Sequence, residues 1–310
     1  MVAITKQCSG LGIKPPKKSA FTIETSQDFF KLHCLAIFSA KRGGGKTVAC
    51  ANLIRMCYFD QVWVITPTFE SNKEIWSICN TKESDVLQPT ADVLTNVKAM
   101  IESEADAWDR FQAELKDWNK MRDDLRSGRD SMWSQDMLLS YADKGWPSEM
   151  QRPKWKYKEE RPPRLGLVID DCMGTDLLKP GSGLTRFCIA HRHWGRGLGV
   201  SLFLLVQSYC STAGLARPIR EQCTILFLWR LRDENQKRKL LEEADLGLTD
   251  EQFSSISEYA WSKPFGFLTI DFAPKSEDSR FRSDPHCRRC DRCSTFWPGR
   301  STRLPPACYP

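Results

Sequence analysis

Short runs of apolar, largely β-branched residues recur along the chain, separated by stretches whose apolar positions fall three or four residues apart. The runs at 35–38, 62–65, 165–169, 200–206 and 224–229 are apolar on consecutive positions, as strands buried on both faces are. A late strand or hairpin is expected over 265–272. Strands alternating with helical patterns predict an α/β fold with a mainly parallel central sheet covered on both faces. The interval between the second and third runs, about residues 72–164, is far too long for one crossover helix and must hold elements of its own. Within this helical insertion Val97, Ile101, Trp108, Phe111, Leu115, Trp118 and Leu125 recur at helical spacing, with Glu102, Asp106, Asp109, Glu114 and Asp117 between them. One long amphipathic helix is predicted. Its stripe packs either on the core, on a helix over 131–142, or against a neighbouring subunit.

Composition narrows the class. With 310 residues, 41% hydrophobic and 27% charged, the chain has the make-up of a folded globular protein. The expected organisation is an N-terminal arm over 1–28, a main domain over 29–275 and an Arg/Cys-rich tail over 276–310. No apolar stretch follows a basic region near the start, and the apolar run at 200–206 ends at Gln207, well short of the roughly 20 residues a span needs. No membrane insertion and an intracellular location are expected. Thirteen cysteines, an odd number lying mostly singly in apolar segments, predict reduced thiols and no disulfides. Lys and Arg number 45 against 39 Asp and Glu, a formal charge of +6 that is too mild to diagnose a nucleic-acid partner.

The local chemistry is more specific. Ala40, Lys41, Arg42, Gly43, Gly44, Gly45, Lys46 and Thr47 follow a predicted strand and open a predicted helix, the setting of a phosphate-binding loop. Consecutive glycines let the backbone turn its N–H groups toward phosphate oxygens, and the helix N-terminus adds positive potential. Lys46 would reach the β- and γ-phosphates of ATP, and Thr47 would offer its hydroxyl to Mg²⁺. Ala40 stands where the usual G-x-x-x-x-G-K-[ST] pattern begins with glycine.

The run at 165–169 leads into Asp170 and Asp171. Two carboxylates at the end of a buried strand need a cation or hydrogen bonds to compensate. Asp170 is the candidate metal-side carboxylate. Asp171 is the candidate group that orients or deprotonates the attacking water, although glutamate fills that role more often. The next strand ends in Gln207, which is either a sensor of the γ-phosphate and lytic water or a plain strand-end amide.

Taken in order, residues 40–47, Phe59 to Thr68, Ile169-Asp170-Asp171, Arg192-His193-Trp194, the strand ending at Gln207, Ile219-Arg220 and Arg232-Asp233 resemble the FtsK/HerA-like branch of P-loop ATPases. Within that branch they are most similar to the DNA-packaging ATPases of poxviruses and other large DNA viruses. The resemblance spans about residues 30–235, with gaps. It implies a P-loop NTPase three-layer sandwich, Mg-ATP hydrolysis, double-stranded DNA as the substrate moved, a homo-oligomeric ring and capsid or portal-vertex proteins as partners. The site would be an infected host cell and the virion. It also implies an arginine that completes the neighbouring subunit's site, with Arg192 the first choice and Arg196 the second. An arginine beside His191 and His193 reads equally well as a surface or DNA-phosphate contact.

Two further stretches stand out. Residues 151–164 interleave six basic residues with Trp155 and Tyr157, a solvated linker or a strip for nucleic acid. Cys287, Cys290, Cys293, His286 and Cys308 offer soft ligands without a second paired knuckle. Zinc there ranks behind a flexible Arg-rich tail.

Overall fold

A computed structural model of the chain describes residues 32–77, 79, 81–148, 151–179, 181–210, 214–231, 233–274 and 280–283. Eight strands form one sheet: β1 (Leu35–Ser39), β2 (Gln61–Ile65), β3 (Val86–Leu87), β4 (Leu165–Asp170), β5 (Ser201–Val206), β6 (Ile225–Trp229), β7 (Phe267–Asp271) and β8 (Phe281–Arg282). Their order is β3-β2-β4-β5-β1-β6-β7-β8. The first six positions in that order are parallel, and β7 and β8 turn antiparallel at the far end. The chain therefore forms the expected α/β sandwich, with the helical insertion between the second and third core strands.

The helices are α1 (Lys46–Met56), α2 (Phe69–Ser77), α3 (Val93–Arg126), α4 (Gln135–Asp143), α5 (Leu184–Ala190), α6 (Arg217–Glu221), α7 (Glu234–Ala244) and α8 (Asp250–Ala260). Period-two alternation assigns them to layers. Ala36, Phe38, Val64, Val168, Phe203 and Phe227 face α1 and α2 through Leu53, Ile54 and Trp76. Leu35, Ile37, Ile65, Leu167, Leu204 and Leu226 face the other way, onto Val97 and Ile101 of α3, Phe187 of α5, Leu240 of α7 and Phe253 of α8. Consecutive strand residues thus enter opposite cores, which is why the runs are apolar at nearly every position, Ser201 and Thr224 excepted.

The long helix of the insertion runs 34 residues. Its stripe divides in two. Val93, Val97, Ile101 and Ala105 join the main core, while Trp118 and Met121 pack with Tyr141 of α4 and Trp146 in a satellite core. Strand β3 was not anticipated. Two residues carry no periodicity, and only pairing with Val64 and Ile65 makes them a strand.

The late strand begins at Phe267 and not at 265. Phe265 has φ 60, a left-handed backbone that cannot continue an extended strand. The sheet also takes in Phe281 and Arg282, within the tail expected over 276–310, because Phe281 pairs with Ile270. The N-terminal arm over 1–28 and residues 284–310 lie outside the described residues. The eight described cysteines are free thiols, and burial pushes Cys188 and Cys223 up to about 12. No described helix is long and apolar enough to cross a membrane.

Candidate nucleotide site

Strands β4, β5, β1 and β6 lie side by side and end at one edge of the sheet. From the end of β1 the chain turns through residues 40–45 into α1. The Ala40 N–H donates to the Val206 carbonyl at 3.1 Å and so ties the start of the loop to β5. The Gly44 N–H donates to the Lys41 carbonyl at 3.0 Å and closes the turn. Gly45 caps α1 with φ 86, a conformation that glycine adopts without a steric penalty. The cap makes no side-chain hydrogen bond, and the first turn of α1 holds no acidic residue. Its opening amides, which a helix cannot bond internally, are presented with the positive end of the helix dipole.

Ala40 fits this loop because Gly44 is a glycine. A Cβ built on Gly44 would stand 3.0 Å from the Ala40 Cβ. Ala40 itself is buried, so the methyl absent from the common pattern is absorbed by the core under α1. Lys41, Arg42 and Gly43 are exposed on the rim of the loop, and Lys46 and Thr47 are half-buried at the helix start.

The structure brings Thr47 to the acidic strand end. Its Oγ1 donates to Asp170 Oδ2 at 3.1 Å, across 123 residues of sequence. Asp170 is 2% exposed, and burial raises its carboxyl to about 6 against the opposing pull of Lys46 and the Thr47 hydrogen bond. Asp171 reverses the chain with φ 54 and is half-buried. The Gln207 Nε2 donates to Asp171 Oδ1 at 3.4 Å. Because β5 is inserted between β1 and β4, its terminal glutamine comes to the edge between the glycine loop and the two aspartates. Seven of the residues read as site candidates, Ala40 and Gly43 to Thr47 with Asp170, thereby converge, and Asp171 and Gln207 pair beside them.

A divalent cation fits this donor set. A carboxylate whose burial holds it at about 6 regains its charge when a cation offsets the desolvation. Mg²⁺ takes one or two protein oxygens and completes its shell with phosphate and water oxygens. Thr47 Oγ1 and Asp170 are the residues that would hold it. Among the described residues no three His, Cys, Asp or Glu side chains form a metal-binding group. The tail cysteines considered for zinc lie outside the described residues.

The arginine candidates go elsewhere. Arg192 is exposed in the turn between α5 and β5. The neighbouring His191 ring bonds the carbonyls of Cys188 and His33, the latter at the start of β1, so Arg192 lies at the amino edge of the sheet. Six strand steps of about 3.3 Å separate that edge, at Ser201, from Gln207, roughly 20 Å. Arg192 therefore stands at the opposite edge of the sheet from Asp171 and Gln207. Arg196 is held by Asp106 at 2.8 Å and Asp109 at 2.9 Å of α3, acids that the helical pattern had placed toward solvent. Arg220 is largely buried and donates both ends of its guanidinium fork to Glu243 at 2.8 Å, a structural pair.

The aromatic residues of 151–164 are also occupied. Trp155 packs on Trp108 and Phe111 at 5.1 and 5.0 Å between ring centres, and Tyr157 donates to Glu104 at 3.1 Å. Arg152, Lys156 and Arg161 are ion-paired to Glu160, Glu104 and Asp60. The stretch is a strap over α3 and not a strip of free stacking faces. One residue at the site edge was missed: Phe265, whose ring lies against Gly45. Pro264 and Gly266 around it are turn signals, and they are what should have separated it from the strand.

Comparison with known proteins finds no matching family profile and no matching curated protein. Among solved structures, the chain is similar to the pCW3 conjugation coupling protein TcpA at 13% identity and a TM-score of 0.35, covering 77% of this chain and 58% of that one. It is similar to the genome packaging NTPase B204 of Sulfolobus turreted icosahedral virus 2 at 11% identity and 0.40, covering 80% and 94%. It is also similar to the cytoplasmic domain of the Thermomonospora curvata Type VII secretion ATPase EccC at 19% identity and 0.37, covering 76% and 24%.

Proposed function

We propose that this chain is a Mg-ATP hydrolase that works as a ring-shaped motor on double-stranded DNA, of the kind that packages viral genomes. The observation that carries the hydrolase reading is the contact between Thr47 and Asp170, with the Asp171–Gln207 pair beside it. A glycine turn that merely capped a helix would need neither partner. The amides of residues 43–47 hold the phosphates, and the Lys46 ammonium neutralises the charge that gathers on the γ-phosphoryl oxygens. Thr47 and Asp170 would hold the cation, which would supply Lewis-acid stabilisation of the phosphate charge. Asp171 accepts the proton of the attacking water, and Gln207 holds Asp171 and that water in line.

The motor and DNA parts of the reading rest on the ordered resemblance of residues 40–47, 59–68, 169–171, 192–194, the strand ending at Gln207, 219–220 and 232–233 to packaging ATPases. Arg192 supports the ring: it lies at the sheet edge away from its own site, where it is available to a neighbour. The test is phosphate release from ATP with and without double-stranded DNA, alongside the mass of the assembled particle. DNA-stimulated turnover in an oligomer is expected. Turnover that ignores DNA would remove the DNA substrate and leave a hydrolase with another load, and no turnover under any condition would remove the hydrolase.

A further inference from the structure

We propose that Phe265 is the platform on which the base of the bound nucleotide stacks, a role that rests on the nucleotide reading above. Strand β7 pairs antiparallel with β6, Phe267 opposite Trp229, so the loop before it arrives at the carboxyl edge of the parallel strands. Residues 261–266 therefore stand at the same edge as the glycine loop. There Phe265 Cδ1 is 3.4 Å from the position a Cβ on Gly45 would take. Phe265 is nevertheless 70% exposed, which leaves its ring open to a ligand arriving at this edge.

The sheet order says what covers it. Asp170, Asp171 and Gln207 come from β4 and β5, on one side of β1, whereas Phe265 comes from the β6–β7 side. A triphosphate whose terminal phosphoryl faces the two aspartates and the glutamine must point its base away from β5. That direction leads to β6, β7 and Phe265.

The loop is also built to hold the ring in place. Trp229 Nε1 donates to the Phe265 carbonyl at 3.1 Å, and Trp261 Nε1 donates to the Leu228 carbonyl at 2.9 Å. Phe265 keeps φ 60, a region that bulky residues rarely enter. Glycine is reserved for the next position, where a Cβ on Gly266 would stand 2.4 Å from the Ala260 carbonyl oxygen. The chain thus places an aromatic residue in a conformation better suited to glycine, with the Trp229 indole holding its backbone and the Trp261 indole tying the start of the loop to β6. A ring of this kind meets the flat face that every base possesses, so it grips ATP and GTP alike.

Equilibrium binding of ATP, GTP and inorganic tripolyphosphate, each with Mg²⁺, tests the proposal on the full chain. Phe265→Ala should weaken ATP and GTP by about 5- to 150-fold, the range for losing one base–aromatic stack. Tripolyphosphate, which has no base, should bind as before, and Phe265→Trp should keep the wild-type affinities for all three. Equal losses for ATP and tripolyphosphate would overturn the proposal, since Phe265 would then only support the loop. Unchanged ATP binding in Phe265→Ala, with all three ligands lost in Lys46→Ala, would overturn it while sparing the nucleotide site. A wild-type chain that binds neither ATP nor tripolyphosphate would bring down the nucleotide reading and this role with it.

Discussion

Replacing Asp170 by asparagine should make the nucleotide-free protein more stable at neutral pH while ending hydrolysis. The carboxyl is 2% exposed, and burial moves it from the ordinary 3.8 to about 6. Below the lower value both folded and unfolded states hold the proton, and the group is neutral to stability. Between the two values the folded state binds more proton than the unfolded chain, so stability falls as pH rises. Above about 6 the penalty is complete. A shift of about two units at about 1.4 kcal/mol each amounts to about 3 kcal/mol.

Asparagine has nearly the same shape, still accepts the Thr47 hydrogen bond through its side-chain oxygen, and carries no charge to desolvate. The assay is chemical unfolding of both proteins in chelator without nucleotide, at about pH 4 and about pH 8. The variant should gain up to about 3 kcal/mol at the higher pH and little at the lower. Excess Mg-ATP, at about 100 times its dissociation constant, should return about 2.7 kcal/mol to the wild type and much less to the variant. A variant no more stable than wild type at the higher pH would refute the claim that Asp170 is a desolvated carboxylate held for a cation.

Lys46→Ala should abolish phosphate release while keeping the native circular dichroism spectrum, with a lower unfolding midpoint at neutral pH because the buried Asp170 carboxylate loses the pull of the ammonium; circular dichroism, thermal unfolding and a phosphate assay decide this. Asp171→Asn should bind Mg-ATP normally and lose at least about 100-fold in turnover, the usual share of a general base. If it turns over normally while Asp170→Asn still binds Mg-ATP, the two aspartate roles are exchanged. Arg192→Ala should bind ATP and hydrolyse it about 10³-fold or more slowly, and mixing it with Lys46→Ala should restore activity if the arginine acts in trans. No gain in verified mixed oligomers would return Arg192 to a cis or DNA-contact role. Arg220→Ala should behave differently: breaking its pair with Glu243 should cost about 3–5 kcal/mol of stability, read from unfolding midpoints, since Glu243 is left largely buried without its partner.

Much of the fold and of the site was legible in linear order, and the reason is locality. A strand buried on both faces shows itself as a continuous apolar run, so 165–169 and 200–206 could be read before any pairing was known. The loop at 40–47 makes its own turn, so its glycines, Lys46 and Thr47 carry their meaning at adjacent positions. Asp170 and Gln207 were legible for the same reason, as polar residues ending apolar strands.

Sheet order and packing decided the rest, because they depend on partners far away in the chain. Inserting β5 between β1 and β4 placed Gln207 beside Asp171. Pairing with β2 turned Val86 and Leu87 into an edge strand. The three arginines, alike in a linear reading, separated only when their neighbours appeared: Arg220 was taken by Glu243, Arg196 by the acids of α3, and Arg192 was left exposed at the far edge. Trp155 and Tyr157 read as part of either a solvated linker or a nucleic-acid strip, and only the folded chain set them against the long helix. Phe265 looked like the first residue of a strand, and only the antiparallel return of β7 and a left-handed backbone set its ring against Gly45. Whether an aromatic ring ends in a core or at a site is settled by what packs around it, and that is a property of the folded chain.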